Sequence, residues 1–197
     1  MASRNRKKLA ELSRVLEHAG VSGVRPVSLD DVAPYPEAPE TGATFEDNAL
    51  AKARDGYAAT GLPCVADDSG LSVDALNGMP GVLSARWSGE HGDDAANTAL
   101  LLAQLRDVPD DRRGAAFVSA CALVWGPGAD EEVVVRGEWT GSIAREPCGE
   151  GGFGYDPVFV PAGADRTAAQ LTPAAKDAES HRGRALALLL PALRSLA

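Results

Sequence analysis

Apolar residues recur at helical spacing in four segments of the chain. In the first of them, Leu9, Leu12 and Leu16 share one helical face, and Gly20 follows as a stop signal. Pro191 is expected to bend or shorten the last of the four. The predicted helices cover residues 5–19, 44–61, 94–106 and 180–196.

Short apolar or alternating runs predict strands between these helices. Residues 115–125, AAFVSACALVW, are apolar on both faces, which favours a central position in a sheet. GPGADE joins them to EEVVVRGEWTGSIA, and this pattern predicts a hairpin. Shorter strands are predicted at residues 62–66 and 156–161 and within the proline-rich segment 25–44, whereas residues 76–90 are predicted to form a surface loop. The fold class is therefore α/β, with a mixed rather than purely parallel sheet.

Composition narrows the functional classes. The 197 residues suit a single domain over residues 1–197, with room for two lobes. A net charge of −9, from 19 basic and 28 acidic residues, argues against a nucleic-acid polymer as partner. The chain lacks a long apolar run and a signal core, so no membrane association and a cytoplasmic location are expected. The three cysteines are far apart and predict reduced, buried thiols rather than disulfides or a zinc site.

The stretch VADDSGLSVD, residues 65–74, places two acids, Asp67 and Asp68, after an apolar run. Carboxylates at the end of a strand are typical of magnesium sites, because hard oxygen ligands suit a hard cation. Neighbouring residues of a strand point to opposite faces, so the two acids need not face one site. Asp, Ser and Gly are also turn formers, and the pattern leaves a solvated turn equally open.

Four other segments combine candidate chemistry with a structural alternative. Residues 3–8, SRNRKK, can bind phosphate at a helix start or form a capped helix with solvated lysines. Residues 41–53, TGATFEDNALAKA, carry acids and a lysine suited to metal and phosphate, but also a capping-box pattern. Residues 151–160, GGFGYDPVFV, offer aromatic faces for a base or a glycine-rich turn. Residues 176–186, KDAESHRGRAL, place several cations at a predicted helix start. The helix dipole makes positive charge unfavourable there, so a binding role is favoured over a solvated helix start.

Taken in order, these segments and GMPGVLSARWSGE, residues 78–90, resemble the inosine/xanthosine triphosphate pyrophosphatase family over nearly the whole chain. Members hydrolyse noncanonical purine nucleoside triphosphates (ITP, dITP and XTP) to the monophosphate and pyrophosphate, which cleanses the nucleotide pool. The resemblance implies an elongated mixed α/β fold with two lobes around a nucleotide-binding cleft. It also implies dependence on Mg²⁺ and a homodimer that binds a small-molecule nucleoside triphosphate.

The resemblance also assigns roles to individual residues. Asp68 is implied as the catalytic residue and a metal ligand. Asp47, which stands where the family usually has Glu, is a second candidate ligand, with Glu46 or a bridging water as the alternative. A dication lowers the pKa of a neighbouring Asp, so Asp68 is expected mainly to orient the attacking water. Arg182 or His181 is expected to donate to the carbonyl at the six position of the purine. The implied substrate contacts are Ser3, Arg4, Asn5, Arg6, Lys7, Lys8, Lys52, Ser69, Phe153, Gly154, Tyr155, Asp156, Lys176, His181 and Arg182.

Two other functions fit parts of the pattern. A phosphatase with an aspartyl nucleophile also uses an acid after a strand, although those sites favour Asp-x-Asp rather than adjacent acids. A nucleotide-binding sensor without catalysis is the second, if Asp47 has lost the ability to bind metal. The products of the reaction, or binding without turnover, distinguish these functions from the pyrophosphatase.

Overall fold

The computed structural model describes residues 1–36, 39–172, 175–176 and 179–197, and of Lys7 only the backbone. Helix predictions from the apolar spacing are confirmed to within a few residues. Short 3₁₀ helices lie between the main elements. Within the described residues, these elements are the helices α1 (Arg6–His18), α2 (Phe45–Thr60), α3 (Asp94–Gln104) and α4 (His181–Arg194), and the strands β1 (Cys64–Val73), β2 (Gly114–Trp125), β3 (Glu131–Ile143) and β4 (Phe159–Pro161).

The four described strands form one antiparallel sheet in the order β1-β2-β3-β4. Strand β2 is central, and its residues 117–124 are buried or nearly so, as its apolar pattern predicts. In the pairing of β3 with β4, Gly141 lies opposite Pro161 and Ile143 opposite Phe159. Sequential strands are neighbours in alternating directions, which needs no crossover connection. The predicted mixed α/β class, with a sheet that is not purely parallel, is confirmed.

Helix α2 shows how local sequence sets an element's ends. The Thr44 hydroxyl accepts a hydrogen bond from the Asp47 N–H at 3.1 Å, and the Asp47 carboxylate accepts one from the Thr44 N–H at 3.2 Å. Gly61 then ends the helix with a φ of 67°, a left-handed conformation that glycine adopts without strain. This reciprocal capping box is the structural alternative considered above for Asp47.

Three regions differ from the prediction. Strand β1 does not end at Ala66 but continues to Val73, so Ser69 and Gly70 are strand residues rather than a turn. In the described part of segment 25–44 there is a 3₁₀ helix, Leu29–Asp31, and no strand. Residues 76–90 are more ordered than a surface loop, since they contain the 3₁₀ helix Gly81–Arg86. The last helix, by contrast, is close to its predicted range, since α4 continues through Pro191 to Arg194.

The chain divides into two compact units. Unit 1 comprises Met1–Asp68, Ser119–Gly137 and Arg182–Ala197, and unit 2 comprises Ser69–Val118 and Glu138–His181. The buried core of unit 1 joins apolar side chains of α1, β1, β2 and α4: Leu12, Leu16, Val65, Cys121, Leu123, Ala185, Leu186, Leu189 and Leu193.

Unit 2 has its own core, built around three aromatic rings. The Phe117 and Phe159 ring centroids are 4.6 Å apart, and those of Trp139 and Phe159 are 5.4 Å apart. Tilted rings at these separations attract each other, which adds to the stabilisation that comes from burying their apolar surface. The predicted lobes around a nucleotide-binding cleft stay a prediction. Within the described ranges, none of the helices combines the length and apolar character needed to cross a bilayer.

Candidate active site

The two adjacent acids of β1 point in different directions and have different partners. Both are buried, with Asp67 3% and Asp68 7% exposed. The Asp67 carboxylate accepts from Lys8 Nζ at 2.8 Å and from Arg182 Nε at 3.1 Å. The Asp68 carboxylate accepts from Lys52 Nζ at 3.1 Å and from Asn48 Nδ2 at 3.0 Å. The strand alternation predicted from the sequence therefore places one lysine against each acid.

Asp68 lies in an environment that favours its neutral form. Burial raises the pKa of its carboxyl above the ordinary Asp value, and Lys52 and Asn48 only partly oppose this effect. Burial by itself opposes charge on Lys52 as well, but Asp68 and Glu40 outweigh it and raise the pKa of that ammonium. In the metal-free chain, Asp68 is thus a stronger proton acceptor than an exposed Asp.

Asp67 has the opposite balance. Its burial favours the neutral form, but the two cations Lys8 and Arg182 prevail and hold the pKa of the carboxyl well below the ordinary Asp value. Asp67 is therefore an anion at neutral pH, paired with two cations. The Asp67 carboxylate thus has two cationic partners, whereas that of Asp68 has one lysine and one amide.

Asn48 fixes the orientation of Asp68 from helix α2. Its Nδ2 donates to Asp68, while its Oδ1 accepts from the Gly42 N–H at 2.8 Å. Both ends of the amide are thereby used, which sets its orientation. A Cβ atom at Gly42 would lie 2.6 Å from Asn48 Oδ1, too close for any other residue to be accommodated without a shift. The glycine therefore allows the loop to approach Asn48 closely.

Unit 1 contains a cavity of about 230 Å³ beside these groups. Its charged lining comprises the cations Arg4, Lys8 and Lys52 and the acids Glu40, Asp55 and Asp67, and Ser3 adds a hydroxyl. The cations and acids of the lining are therefore equal in number, although the whole chain carries a net charge of −9. The ammonium and guanidinium groups of the three cations are suitable hydrogen-bond donors to phosphate oxygens.

Glu40 is one of three acids in the cavity lining, and it was not among the residues predicted from the sequence. Its carboxylate lies 2.5 Å from Lys52 Nζ, and Asp68 lies 3.1 Å from the same nitrogen. Glu40 and Asp68 therefore pair with the same ammonium. Mg²⁺ is usually held by one or two carboxylates together with waters and phosphate oxygens, so these two acids are candidates to hold it. Among the described residues, there is no group of three or more His, Cys, Asp or Glu side chains of the kind that binds a metal without such help.

Asp47 is placed differently from its sequence-based assignment as a metal ligand. It is exposed, and its carboxylate accepts the Thr44 N–H of the capping box. Glu46, one residue earlier, pairs with Arg136 at 3.0 Å on the surface. The capping box explains Asp47 fully, so its role as a metal ligand stays a prediction without geometric support.

The N-terminal segment approaches the cavity just before α1. Ser3 and Arg4 line the cavity, and the Ser3 hydroxyl accepts the Asn5 N–H at 3.1 Å. Arg4 is exposed and pairs with Asp30 at 3.4 Å. Arg6 is exposed at the helix start, and the predicted contact of the Lys7 side chain lies outside the described part of the chain. Lys8 is thus the helix residue of this segment that reaches the cavity.

In unit 2, the predicted base-binding loop presents one aromatic face. Phe153 is 57% exposed, which is unusual for a large apolar side chain, and Lys176 Nζ lies 4.6 Å from its ring centroid. Buried Asp156 accepts the Phe153 N–H at 2.7 Å and pairs with Lys176. A Cβ atom at Gly152 would collide with the Asp156 carboxylate. Asp156 therefore organises this loop and places Lys176 over the ring.

The remaining predicted residues of unit 2 lie deeper. Tyr155 is only 4% exposed and donates its hydroxyl proton to the Ser84 carbonyl at 2.9 Å, so its ring is part of the core and offers no face to a base. Gly154 is tied to α3, since its N–H donates to Asp94 at 2.7 Å. His181 stacks on Phe117 with centroids 5.1 Å apart and is 8% exposed. Ser69 is half-buried in β1.

Arg182, predicted with His181 to recognise the base, belongs to unit 1. Its side chain is 12% exposed, with Nε on Asp67 and Nη1 3.4 Å from Glu11 Oε2. Two carboxylates therefore hold the guanidinium, and its assignment as a base-recognising group stays a prediction.

Comparison with known proteins assigns the chain to a family. The sequence model of the Ham1 family matches residues 1–192. The dITP/XTP pyrophosphatases of Nocardia farcinica and Mycobacterium tuberculosis (strain H37Rv) are each 80% identical over 197 residues, which is 100% of this chain and 95% of the relative.

Solved structures agree with the sequence matches. The crystal structure of the nucleoside-triphosphatase, or dITP/XTP pyrophosphatase, of Mycobacterium abscessus has a TM-score of 0.82 and 76% identity, and the match covers 97% of this chain and 96% of that one. A HAM1 protein of Coxiella burnetii has a TM-score of 0.88 at 41% identity, with 98% and 96% covered. On sequence and fold together, the chain belongs to the Ham1 family.

Proposed function

We propose that this chain hydrolyses noncanonical purine nucleoside triphosphates, ITP, dITP and XTP, to the nucleoside monophosphate and pyrophosphate, and so cleanses the nucleotide pool. Full-length relatives at 80% identity carry the name dITP/XTP pyrophosphatase, which supports the substrate class. The observation that carries the proposal is in unit 1. Glu40 shares Lys52 with Asp68, and Glu40 and Lys52 line a cavity together with the cations Arg4 and Lys8.

This arrangement provides what hydrolysis of a triphosphate requires. Lys8, Lys52 and Arg4 would bind phosphate oxygens and stabilise the charge that develops on them. Glu40 and Asp68 would hold Mg²⁺, which when bound neutralises the phosphates and polarises the phosphorus under attack. We further propose that the protein depends on Mg²⁺.

Asp68 is proposed to orient the attacking water and accept its proton. Its raised pKa in the metal-free chain makes its carboxylate a better acceptor than an exposed Asp, and Asn48 holds one of its oxygens in place. A bound dication would lower this pKa, which shifts the role of Asp68 from proton acceptor toward orientation of the water.

The purine is proposed to stack on the exposed ring of Phe153, with Lys176 as a donor to its carbonyl at the six position. Adenine presents an amine there, which would face the Lys176 ammonium donor to donor and lose this hydrogen bond. A site that hydrogen-bonds the carbonyl would therefore favour ITP and XTP over ATP. Lys176 is suited to this role because Asp156 holds it beside the ring.

A panel of nucleoside triphosphates with Mg²⁺ tests the proposal. ITP, dITP and XTP should be converted to monophosphate and pyrophosphate much faster than ATP. Release of inorganic phosphate with a nucleoside diphosphate would instead favour the aspartyl phosphatase, and binding of ITP without turnover would favour the sensor. The homodimer is likewise proposed, and light scattering of the purified protein measures it.

A further inference from the structure

In unit 2, helix α3 holds the loop that carries Phe153 at Gly154. The Gly154 N–H donates to the Asp94 carboxylate at 2.7 Å, and the Gly154 carbonyl accepts from the Thr98 hydroxyl at 3.4 Å. Asp94 and Thr98 are four residues apart on α3, so they are neighbours on one face of that helix. Both backbone polar groups of Gly154 are therefore bound to α3.

The backbone of Phe153 itself is bound to Asp156. The Asp156 carboxylate accepts the Phe153 N–H at 2.7 Å, and the Asp156 N–H donates to the Phe153 carbonyl at 3.2 Å. The ring of Phe153 is nevertheless 57% exposed. A large apolar side chain thus projects into solvent from a backbone that hydrogen bonds hold in place. This combination favours a preformed binding surface over a mobile loop tip.

The sequence of this loop gives it little stiffness of its own. Residues 151–154, GGFG, contain three glycines, and glycine has the most backbone freedom to lose. Hydrogen bonds that order the loop before binding spare the ligand that entropy cost. Of the two contacts from α3, the one from Asp94 is the stronger, because it is short and its acceptor is charged, whereas the Thr98 contact is long.

We propose that Asp94 is a positioning residue, which acts through Gly154 to hold the Phe153 ring where a purine stacks on it. This inference rests on the proposed function for its ligand. It gives a role in base binding to an acid that lies outside every segment in which the sequence indicated candidate chemistry. Asp94 itself contacts the loop backbone and is not assigned a contact with the base.

A role in the stability of α3 alone is the alternative, because Asp94 lies in its first turn, where the helix dipole favours an acid. The adjacent Asp93 separates the two roles. Its carboxylate caps the same helix by accepting the Ala96 N–H at 2.9 Å, and both acids are exposed. Asp93→Ala is therefore a matched control, which removes a helix contact and keeps the hydrogen bond to Gly154.

The test compares KM and kcat for ITP in Asp94→Ala, Asp94→Asn and Asp93→Ala. Asp94→Ala should raise KM by about 3- to 30-fold, less than the loss of the ring itself, with a smaller change in kcat. Asp94→Asn keeps an oxygen acceptor for the Gly154 N–H and should retain most of the wild-type KM. Asp93→Ala should lower Tm by about 2–4 °C and leave KM unchanged. In a Phe153→Ala background, Asp94→Ala should cause no further rise in KM, because the ring on which it acts is absent.

Calorimetry provides a readout that does not need turnover. The Kd of inosine monophosphate, which carries the base, should rise in Asp94→Ala by a similar factor. The Kd of inorganic tripolyphosphate, which has no base, should stay at its wild-type value. A purely structural role of Asp94 would weaken the binding of both ligands.

The inference is overturned if Asp94→Ala matches Asp93→Ala in KM and in both Kd values, if it weakens tripolyphosphate as much as inosine monophosphate, or if its effect persists in the Phe153→Ala background. Hydrolysis of ITP with a KM that does not depend on Asp94 would support the proposed function and still overturn the inference. Binding of inosine monophosphate that depends on Asp94, without hydrolysis of any nucleoside triphosphate by wild type, would contradict the proposed function and leave the inference standing.

Discussion

Lys8 Nζ lies 2.8 Å from the Asp67 carboxylate, although the catalytic candidate is the next residue, Asp68. The first acid and its lysine form a fixed ion pair, and the second acid shares Lys52 with Glu40. Two adjacent buried acids are thus each neutralised by a separate lysine. Lys8 and Lys52, both predicted from the resemblance to contact the substrate, are the lysines of these two pairs.

Replacement of Asp67 by Asn is expected to destabilise the protein. The change leaves Lys8 and Arg182 without their anion, and the loss of one member of a buried ion pair typically costs about 3–5 kcal/mol. Urea unfolding at pH 7 in EDTA measures this difference. Asp165→Asn is the control, since that side chain is 95% exposed and should change the free energy of unfolding little.

The same variant has a predicted pH dependence. The folded-state pKa of Asp67 is lowered, so its contribution to stability is present above the unfolded pKa of about 4 and is lost as the pH falls through the folded value. The difference between wild type and Asp67→Asn should therefore shrink below about pH 4. A difference that stays constant or grows in acid would contradict the assigned role of Asp67.

The Mg²⁺ dependence of activity in two variants tests whether Glu40 or Asp47 is a metal ligand. Glu40→Gln should raise the Mg²⁺ concentration for half-maximal activity by about 10- to 100-fold, because it removes a proposed ligand. Asp47→Ala should leave this concentration unchanged and lower the free energy of unfolding by about 1 kcal/mol, the value of one capping hydrogen bond. Magnesium titrations and thermal unfolding of both variants are required. A higher Mg²⁺ requirement in Asp47→Ala, with none in Glu40→Gln, would instead support Asp47 as the metal ligand.

Phe153→Ala tests the proposed base platform. Stacking of a base on an aromatic ring is worth about 1–3 kcal/mol, so KM for ITP should rise by about 5- to 100-fold while kcat changes less. The fold should be unaffected, because the ring is exposed. Leu188→Ala is a matched control, since both side chains are 57% exposed. Equal KM values in the two variants would remove Phe153 from the site.

The three thiols should differ in reactivity. Burial raises the pKa of Cys121 to about 12 and also raises that of Cys64, whereas Cys148 is exposed. A thiol reacts as the thiolate, so at pH 8 a disulfide reagent should modify one cysteine per native chain and three per unfolded chain. Cys148→Ser should abolish the native reaction. Rapid modification of that variant would show that Cys64 or Cys121 is accessible.

The helices could be predicted from sequence because their signals are local. The Thr44–Asp47 box and Gly61 mark the ends of α2 within a few residues of the chain. The course of β1 could not be predicted, because Asp68, Ser69 and Gly70 have turn propensity and only the pairing with a neighbouring strand overrides it.

At the site, the motif residues were found but some of their partners were not. Glu40 stands in a proline-rich segment without periodicity, and its only signal was its position directly before the TGATFEDNALAKA segment. Asn48 lies inside that segment, but its link to Asp68 depends on how α2 packs on β1. Arg182 carried a charge signal that did not reveal its partners, Asp67 and Glu11. Tertiary contacts of this kind have no counterpart in local pattern.

The most direct measurement of the proposed function is pyrophosphate release from ITP with Mg²⁺ by wild type and Asp68→Asn, with folding of both verified by circular dichroism. Wild type should release one pyrophosphate for each inosine monophosphate formed, because a triphosphate cut at the phosphate next to the nucleoside gives these two products. Asp68→Asn should be slower by at least about 100-fold, since it removes the proposed proton acceptor and metal ligand. Near-wild-type release by the folded Asp68→Asn variant, or inorganic phosphate as the wild-type product, would contradict the proposal.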